Sequence, residues 1–307
     1  MSTRQRPPGP SGTPRGTGRS GRANRRGRDS NRSWIVLGAA IAIILVIAAL
    51  VIIRFANSSG SASTASPVSD AVLHDLSSVS AATENAVGSG SGPDALVAVR
   101  DQPLTGAGNR PQVVYYGAEY CPYCATERWA MIVALNRFGS FTGLKTTHSA
   151  SDDVYPNTPT FTFYGSTYQS QYLDFTPIEQ QTNVKVNGQY SQLQTPTPDQ
   201  QQLFQRYNAP PYIPAEQAGG IPFVDIANQY VMSGTTVDPN LFQGKTWEQI
   251  ASRLNDPSTD ESKAIVGGAN RLTAAICLST NNAPAEVCSQ PAIKQIAASL
   301  QAKAVPK

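Results

Sequence analysis

Residues 112–139 read QVVYYGAEYCPYCATERWAMIVALNRFG. The opening six residues are mostly β-branched or aromatic and favour a strand. That strand runs straight into Cys121-Pro122-Tyr123-Cys124. From Ala125 to Phe138 the spacing turns helical. Trp129, Ile132, Val133 and Asn136 lie near one stripe, and Met131, Leu135 and Phe138 widen it, as in a well-buried helix. Gly139 reads as the glycine that closes the helix. A strand feeding a Cys-x-x-Cys that opens a helix points to an α/β fold.

The same order has a chemical use. A sulfur at a helix start meets unpaired N–H groups that point outward, and these favour a thiolate. The second sulfur lies about one turn in, close enough to form a disulfide with the first. Pro122 fits the first helical turn, where its missing N–H costs nothing. Cys121 is therefore the expected nucleophile and Cys124 the resolving thiol. Tyr123 is expected to be exposed and to contact substrate, whereas Trp129, Tyr115 and Tyr116 read as core. Glu127 lies three residues past Cys124 and is a candidate for proton transfer to a leaving thiolate. The alternative is an ion pair with Arg128 or Arg206, and Glu119 carries the same two readings. For the cysteine pair, the competing readings are a static disulfide, or zinc if all four cysteines converge.

Gly220-Ile221-Pro222 supplies a second half. This resembles the thioredoxin-like fold, in which a cis-proline at the start of a strand faces the Cys-x-x-Cys. The resemblance implies that Ile221 and Pro222 bind substrate, with the Ile221 backbone pairing to an extended chain beside Cys121. The Pro-Tyr dipeptide is the one found in many glutaredoxins. The stretch Gly117–Gly139 resembles an uncharacterised family of membrane-anchored thioredoxin-like proteins, a domain of unknown function, from actinobacteria and archaea. That likeness runs from about Val72 to Ala302 and is most specific at Gly117–Trp129. It implies fold and placement, and attaches no activity.

Several features depart from ordinary thioredoxins. The separation from Cys124 to Pro222 requires a long insertion before the cis-proline strand, about residues 146–214, which shapes a groove or covers the sheet edge. Glu119-Tyr120 stand where a tryptophan is common, and no histidine lies between the cysteines. The motif itself shows no cationic neighbour.

Further out, Ser69–Val79 has helical spacing, and Ala95–Val99, Leu144–Ser149, Thr160–Tyr164, Tyr172–Thr176 and Val184–Val186 read as short strands. Pro198–Tyr207 reads as a short helix inside the least regular stretch, Gln189–Pro214. Phe223–Ala227 and Gln229–Ser233 read as strands joined by a tight turn at Asn228. Thr246–Leu254, Ser258–Leu278 and Pro291–Ala302 read as extra C-terminal helices, about residues 246–302. Cys277 and Cys288 flank a segment with Asn281, Asn282 and Pro284, so the chain turns back there. A structural disulfide pinning two helices is the expectation, and a redox relay to Cys121 and Cys124 is the alternative.

Charge divides the chain. Residues 1–33 hold nine arginines against Asp29 alone, whereas from Phe55 onward there are 14 Lys/Arg against 20 Asp/Glu. The tail has almost nothing apolar to bury and is expected to be disordered. Trp34–Ile53 follows as WIVLGAAIAIILVIAALVII, twenty residues without a charge and flanked by Arg32 and Arg54. That is long enough to cross a bilayer, so residues 34–54 are expected to form one transmembrane helix. The arginine excess puts the N-terminus in the cytoplasm. The tail then partners the lipid bilayer rather than nucleic acid. A cleaved leader is the other reading of this span. Residues 55–68 form a Ser/Gly/Ala linker, leaving 69–307 as an extracytoplasmic thioredoxin-like domain. In an oxidising compartment, four cysteines favour disulfides.

His74 and His148, the only histidines, are too isolated for a His-based metal or catalytic site. No metal and no cofactor is expected. The function expected is a membrane-anchored thiol–disulfide oxidoreductase acting on exported protein thiols or on a membrane redox partner. A non-enzymatic binding module of the cell envelope with a structural Cys121–Cys124 bridge is the alternative.

Overall fold

The strand expected from QVVYYG is an interior strand, next to the edge, of a five-stranded sheet in a computed structural model, which describes residues 65–306. The basic tail, the apolar span and most of the linker lie outside the described residues. Among those described, no helix is long and apolar enough to cross a membrane.

The described chain runs β1 (Ser66–Pro67), α1 (Asp70–Ser77), α2 (Ala81–Val87), β2 (Val97–Ala98), β3 (Gln112–Gly117), α3 (Pro122–Asn136), β4 (Gly139–Thr142), β5 (Lys145–His148), β6 (Pro159–Thr162) and β7 (Thr167–Ser170). It continues β8 (Asp174–Glu179), β9 (Gln181–Val186), β10 (Gln189–Gln192), α4 (Pro198–Tyr207), β11 (Phe223–Ile226), β12 (Tyr230–Ser233), α5 (Trp247–Ala251), α6 (Asp260–Ser279), α7 (Ala285–Cys288) and α8 (Pro291–Ala302). The central sheet has the order β2-β12-β11-β3-β8. β8 is parallel to β3, with Val113 opposite Phe175, while β11 is antiparallel, with Val113 opposite Ile226. The chain is thus mixed α/β, as expected.

Alternation along β3 explains why this sheet is covered twice. Val113 and Tyr115 face a large core with Trp129, Ile132, Val224 and the α6 residues Ile265 and Leu272. Val114 and Tyr116 face the other side, where they meet Ile178, Tyr207, Ile213 and Phe223. Ring contacts Tyr116–Phe204 and Phe204–Phe223 pack α4 onto that side. Helix α3 is buried from Cys124 through Leu135, so the apolar stripe read from sequence understates its burial.

Three expectations need correction. Gly139 does not close α3: the helix ends at Asn136, and Gly139 begins β4. Its missing side chain is used differently, because a Cβ there would meet the Gln169 carbonyl at 2.2 Å. The stretch 146–214 is not simply an insertion, since it supplies β8, an integral edge of the central sheet. The irregular Gln189–Pro214 begins with β10, which forms a hairpin with β9. Elements β4, β7, α2 and α7 carry too little periodicity for their sequence to mark them.

Candidate functional site

β3 ends at Gly117, and a short turn delivers Cys121 to the N-cap of α3, with Pro122 at the first helical position. The Cys124 N–H donates to Cys121 Sγ at 3.2 Å, so an orphan helix donor is satisfied by sulfur. On the far side Ile221–Pro222 is a cis peptide. The Cys121 thiol donates to the Ile221 carbonyl at 3.8 Å. The two segments, 100 residues apart in sequence, therefore meet at one sulfur.

Both cysteines are free thiols, and they differ in access. Cys121 keeps 5% of its surface and Cys124 none. Cys121 is less open than its place at a helix head led us to expect. Tyr120 and Tyr123 flank it, and the insertion holds both rings: Tyr120 stacks on Tyr190 at 4.2 Å, and Tyr123 meets Tyr155 edge-on at 5.8 Å. Tyr123 itself is 40% exposed, as expected. It lines a cleft of about 710 Å³ with Tyr212, Ile213, Ile221, Ser233 and Thr235.

The sulfurs also differ electrostatically. The Cys124 side chain, bonding to Cys121, draws the Cys121 thiol below its ordinary value. Burial opposes this, while the Cys124 N–H and the Arg128 charge add to it. Burial pushes the Cys124 thiol well up. A lowered outer sulfur and a raised inner one suit an attacking and a resolving thiol.

Arg128 is the cation that the motif lacked in sequence. It sits one turn past Cys124, fully buried, and forms a two-pronged ion pair with the equally buried Glu179 at 2.8 and 2.7 Å. It also donates to the Ala118 carbonyl at 2.8 Å. The i, i+4 spacing from Cys124 was visible in the sequence. Its partner on β8 was not, because the pairing depends on strand order.

Glu127 pairs with neither Arg128 nor Arg206, the latter being bound to Asp101. Its carboxylate accepts from the Thr236 N–H at 2.7 Å and from the Thr236 and Thr235 hydroxyls at 3.0 and 3.1 Å. Burial pushes it up to about 7, against those donors. Glu119 is buried in the turn before Cys121.

A family model described as Domain of unknown function (DUF929) matches residues 95–278. The chain belongs to the DUF929 family. Comparison with curated proteins and with solved structures gives no match. The DUF929 match contains Cys121, Cys124, Arg128, Glu179, Pro222 and Cys277, and it stops before Cys288.

Cys277 and Cys288 form the expected disulfide, with Cα atoms 5.6 Å apart, and it ties the end of α6 to α7. Helices α3 and α6 run side by side: a Cβ on Gly268 would touch Ala130, and Arg137 bonds Thr273 at 2.7 Å. Cys277 lies one turn beyond Thr273, so it sits some 20 Å along the axis from Cys124 at 1.5 Å per residue. The relay alternative fails on that distance, and so does a four-cysteine zinc site. Among the described residues no cluster of His, Cys, Asp and Glu is placed to hold a metal. The bridge closes a short loop and contributes on the order of 2–4 kcal/mol.

Proposed function

We infer that this DUF929 chain is a membrane-anchored, extracytoplasmic thiol–disulfide oxidoreductase whose domain is thioredoxin-like. The observation that carries the reading is one sulfur, Cys121, held between the Cys124 N–H at 3.2 Å and the Ile221 carbonyl at 3.8 Å. A substrate chain lying along Ile221 and Pro222 would bring its own sulfur to that point, with Tyr123 against it. In the reducing direction the Cys121 thiolate attacks a substrate disulfide, forming a mixed disulfide and releasing one substrate thiolate. Cys124 then loses its proton and attacks Cys121, which frees the second substrate sulfur and leaves a Cys121–Cys124 disulfide. The oxidising direction is the reverse. The Glu127 carboxyl, pushed up to about 7 by burial, gains and loses its proton near neutral pH, and its partner Thr235 borders the cleft. In this reading it stores the proton that Cys124 exchanges. The substrates are exported protein thiols or a membrane redox partner, and the apolar span tethers the domain outside the membrane.

One observation favours the second reading, a binding module with a fixed bridge: Cys121 is nearly closed. Trapping decides between them. Cys124→Ser expressed in the native membrane should accumulate mixed disulfides through Cys121, seen as reductant-sensitive adducts on gels. Cys121→Ser should accumulate none. Absence of adducts in the Cys124→Ser protein would favour the binding module.

A further inference from the structure

Behind the cysteine motif lies a buried charge cluster centred on Arg128 and Glu179. Arg128 follows Cys124 by four residues, so both project from the same face of α3. The Arg128 guanidinium and the Cys121 N–H share one acceptor, the Ala118 carbonyl, at 2.8 and 3.3 Å. The guanidinium also lies over the Tyr115 ring, 5.7 Å from its centre. The Tyr115 hydroxyl in turn lies over Gly117, where a Cβ would come within 2.1 Å of it. The arginine is thus fixed to the turn that carries Cys121 and to the strand beneath it. Nε and Nη2 are held by Glu179 and Ala118, while Nη1 is buried without a partner among the described residues. Neither side chain of the ion pair reaches solvent. Charges so enclosed act over longer range than surface pairs do.

We propose that the buried Arg128–Glu179 pair sets the redox balance of Cys121 and Cys124, with Arg128 as the positioning charge and Glu179 as its attenuator. The proposal rests on the oxidoreductase reading of the site and says what regulates it. Reduction takes two electrons and one proton, leaving a Cys121 thiolate and a Cys124 thiol. Arg128 favours the thiolate and hence the reduced pair. Glu179 partly cancels that charge. Other titratable groups packed around the sulfurs are Tyr115 from β3, Tyr120 from the turn, Tyr123 from α3 and Glu119 from the turn. Burial raises all three phenols, Tyr120 to about 12, so they stay neutral over the working range. Glu119 is common to every variant below.

The test uses full-length protein in detergent, with near-ultraviolet circular dichroism to show native packing. Two readouts are taken: the pH midpoint of Cys121 alkylation on chemically reduced protein, and the equilibrium of the pair with glutathione. In the second, two glutathione molecules supply the electrons and leave as their disulfide. Glu179→Gln keeps the size and an acceptor but removes the countercharge. Its midpoint should fall by about one unit, and the glutathione equilibrium should move about tenfold toward the dithiol, ~30 mV. Arg128→Met/Glu179→Gln removes both charges and should move both readouts the opposite way. Arg128→Lys gives up the two-pronged fork but keeps the charge, and on the charge account its midpoint should stay within about half a unit of wild type. It decides the matter if the other two lose native packing, because an upward move of a unit or more would overturn the proposal. Shifts of the same sign in the first two variants, or none, would overturn it as well. A wild-type pair that never exchanges with glutathione sinks the oxidoreductase reading instead, and the alkylation midpoints still judge the ion pair. Normal wild-type exchange with unmoved midpoints sinks this inference alone.

Discussion

Arg128→Met alone is expected to lower the stability of the folded domain by about 3–5 kcal/mol. The substitution fits the volume and suits the helix, so neither packing nor propensity accounts for the loss. The loss comes from Glu179, whose carboxyl has no exposed surface and would lose its charge partner. Its remaining donor among the described residues is the Phe163 N–H at 3.3 Å. One weak donor does not replace a two-pronged guanidinium. Adding Glu179→Gln should recover most of that stability, because a neutral amide has no charge to desolvate. Urea unfolding of the single and double variants checks both statements. Equal losses in the two would mean that the pair matters for shape rather than charge.

The second large effect concerns pH. Asp225 on β11 and Glu127 on α3 are buried carboxylates, each pushed up to about 7 by desolvation. Among the described residues Asp225 has one donor, the Asn228 N–H at 2.7 Å, and its second oxygen is buried without a partner. A carboxyl whose value is higher in the folded state binds its proton more tightly there than in the unfolded chain. Stability from these two groups is therefore greatest below pH 4, falls as pH rises from about 4 through 7, and levels off above 8. Asp225→Asn fixes the neutral form. It should raise stability at pH 8 by about 1–3 kcal/mol and change little at pH 4. Denaturant curves at the two pH values give the comparison. A gain of equal size at both would show that the charge is not the cause.

Local reading reached the elements whose signals are local. β3, α3 and the Phe223–Ser233 hairpin follow from composition and turn chemistry, and α4 starts at a full capping box that Thr197 forms with Gln200, with Pro198 at its first position. The meeting of Cys121 with Ile221-Pro222 was expected from resemblance, and the 3.8 Å contact places them together. What stayed hidden depends on strand order. Nothing in Asp174–Glu179 (DFTPIE) says that it lies parallel to β3, yet that placement is what brings Glu179 to Arg128. Tyr155 and Tyr190 were equally unreadable, since each meets its partner across a long loop. Gly139 misled for a related reason. Its nearest constraint is the Gln169 backbone, thirty residues away and invisible to a rule about helix ends.

The most direct measurement is a redox titration of the wild-type protein against glutathione buffers, quenched with a thiol-blocking reagent and mapped by mass spectrometry. Cys121 and Cys124 should convert reversibly and together between dithiol and disulfide, with Cys121 the first blocked on brief exposure. Cys277 and Cys288 should stay bonded throughout. A Cys121–Cys124 pair that remains in one state across the whole range, or that reacts only once the fold is lost, would contradict the account.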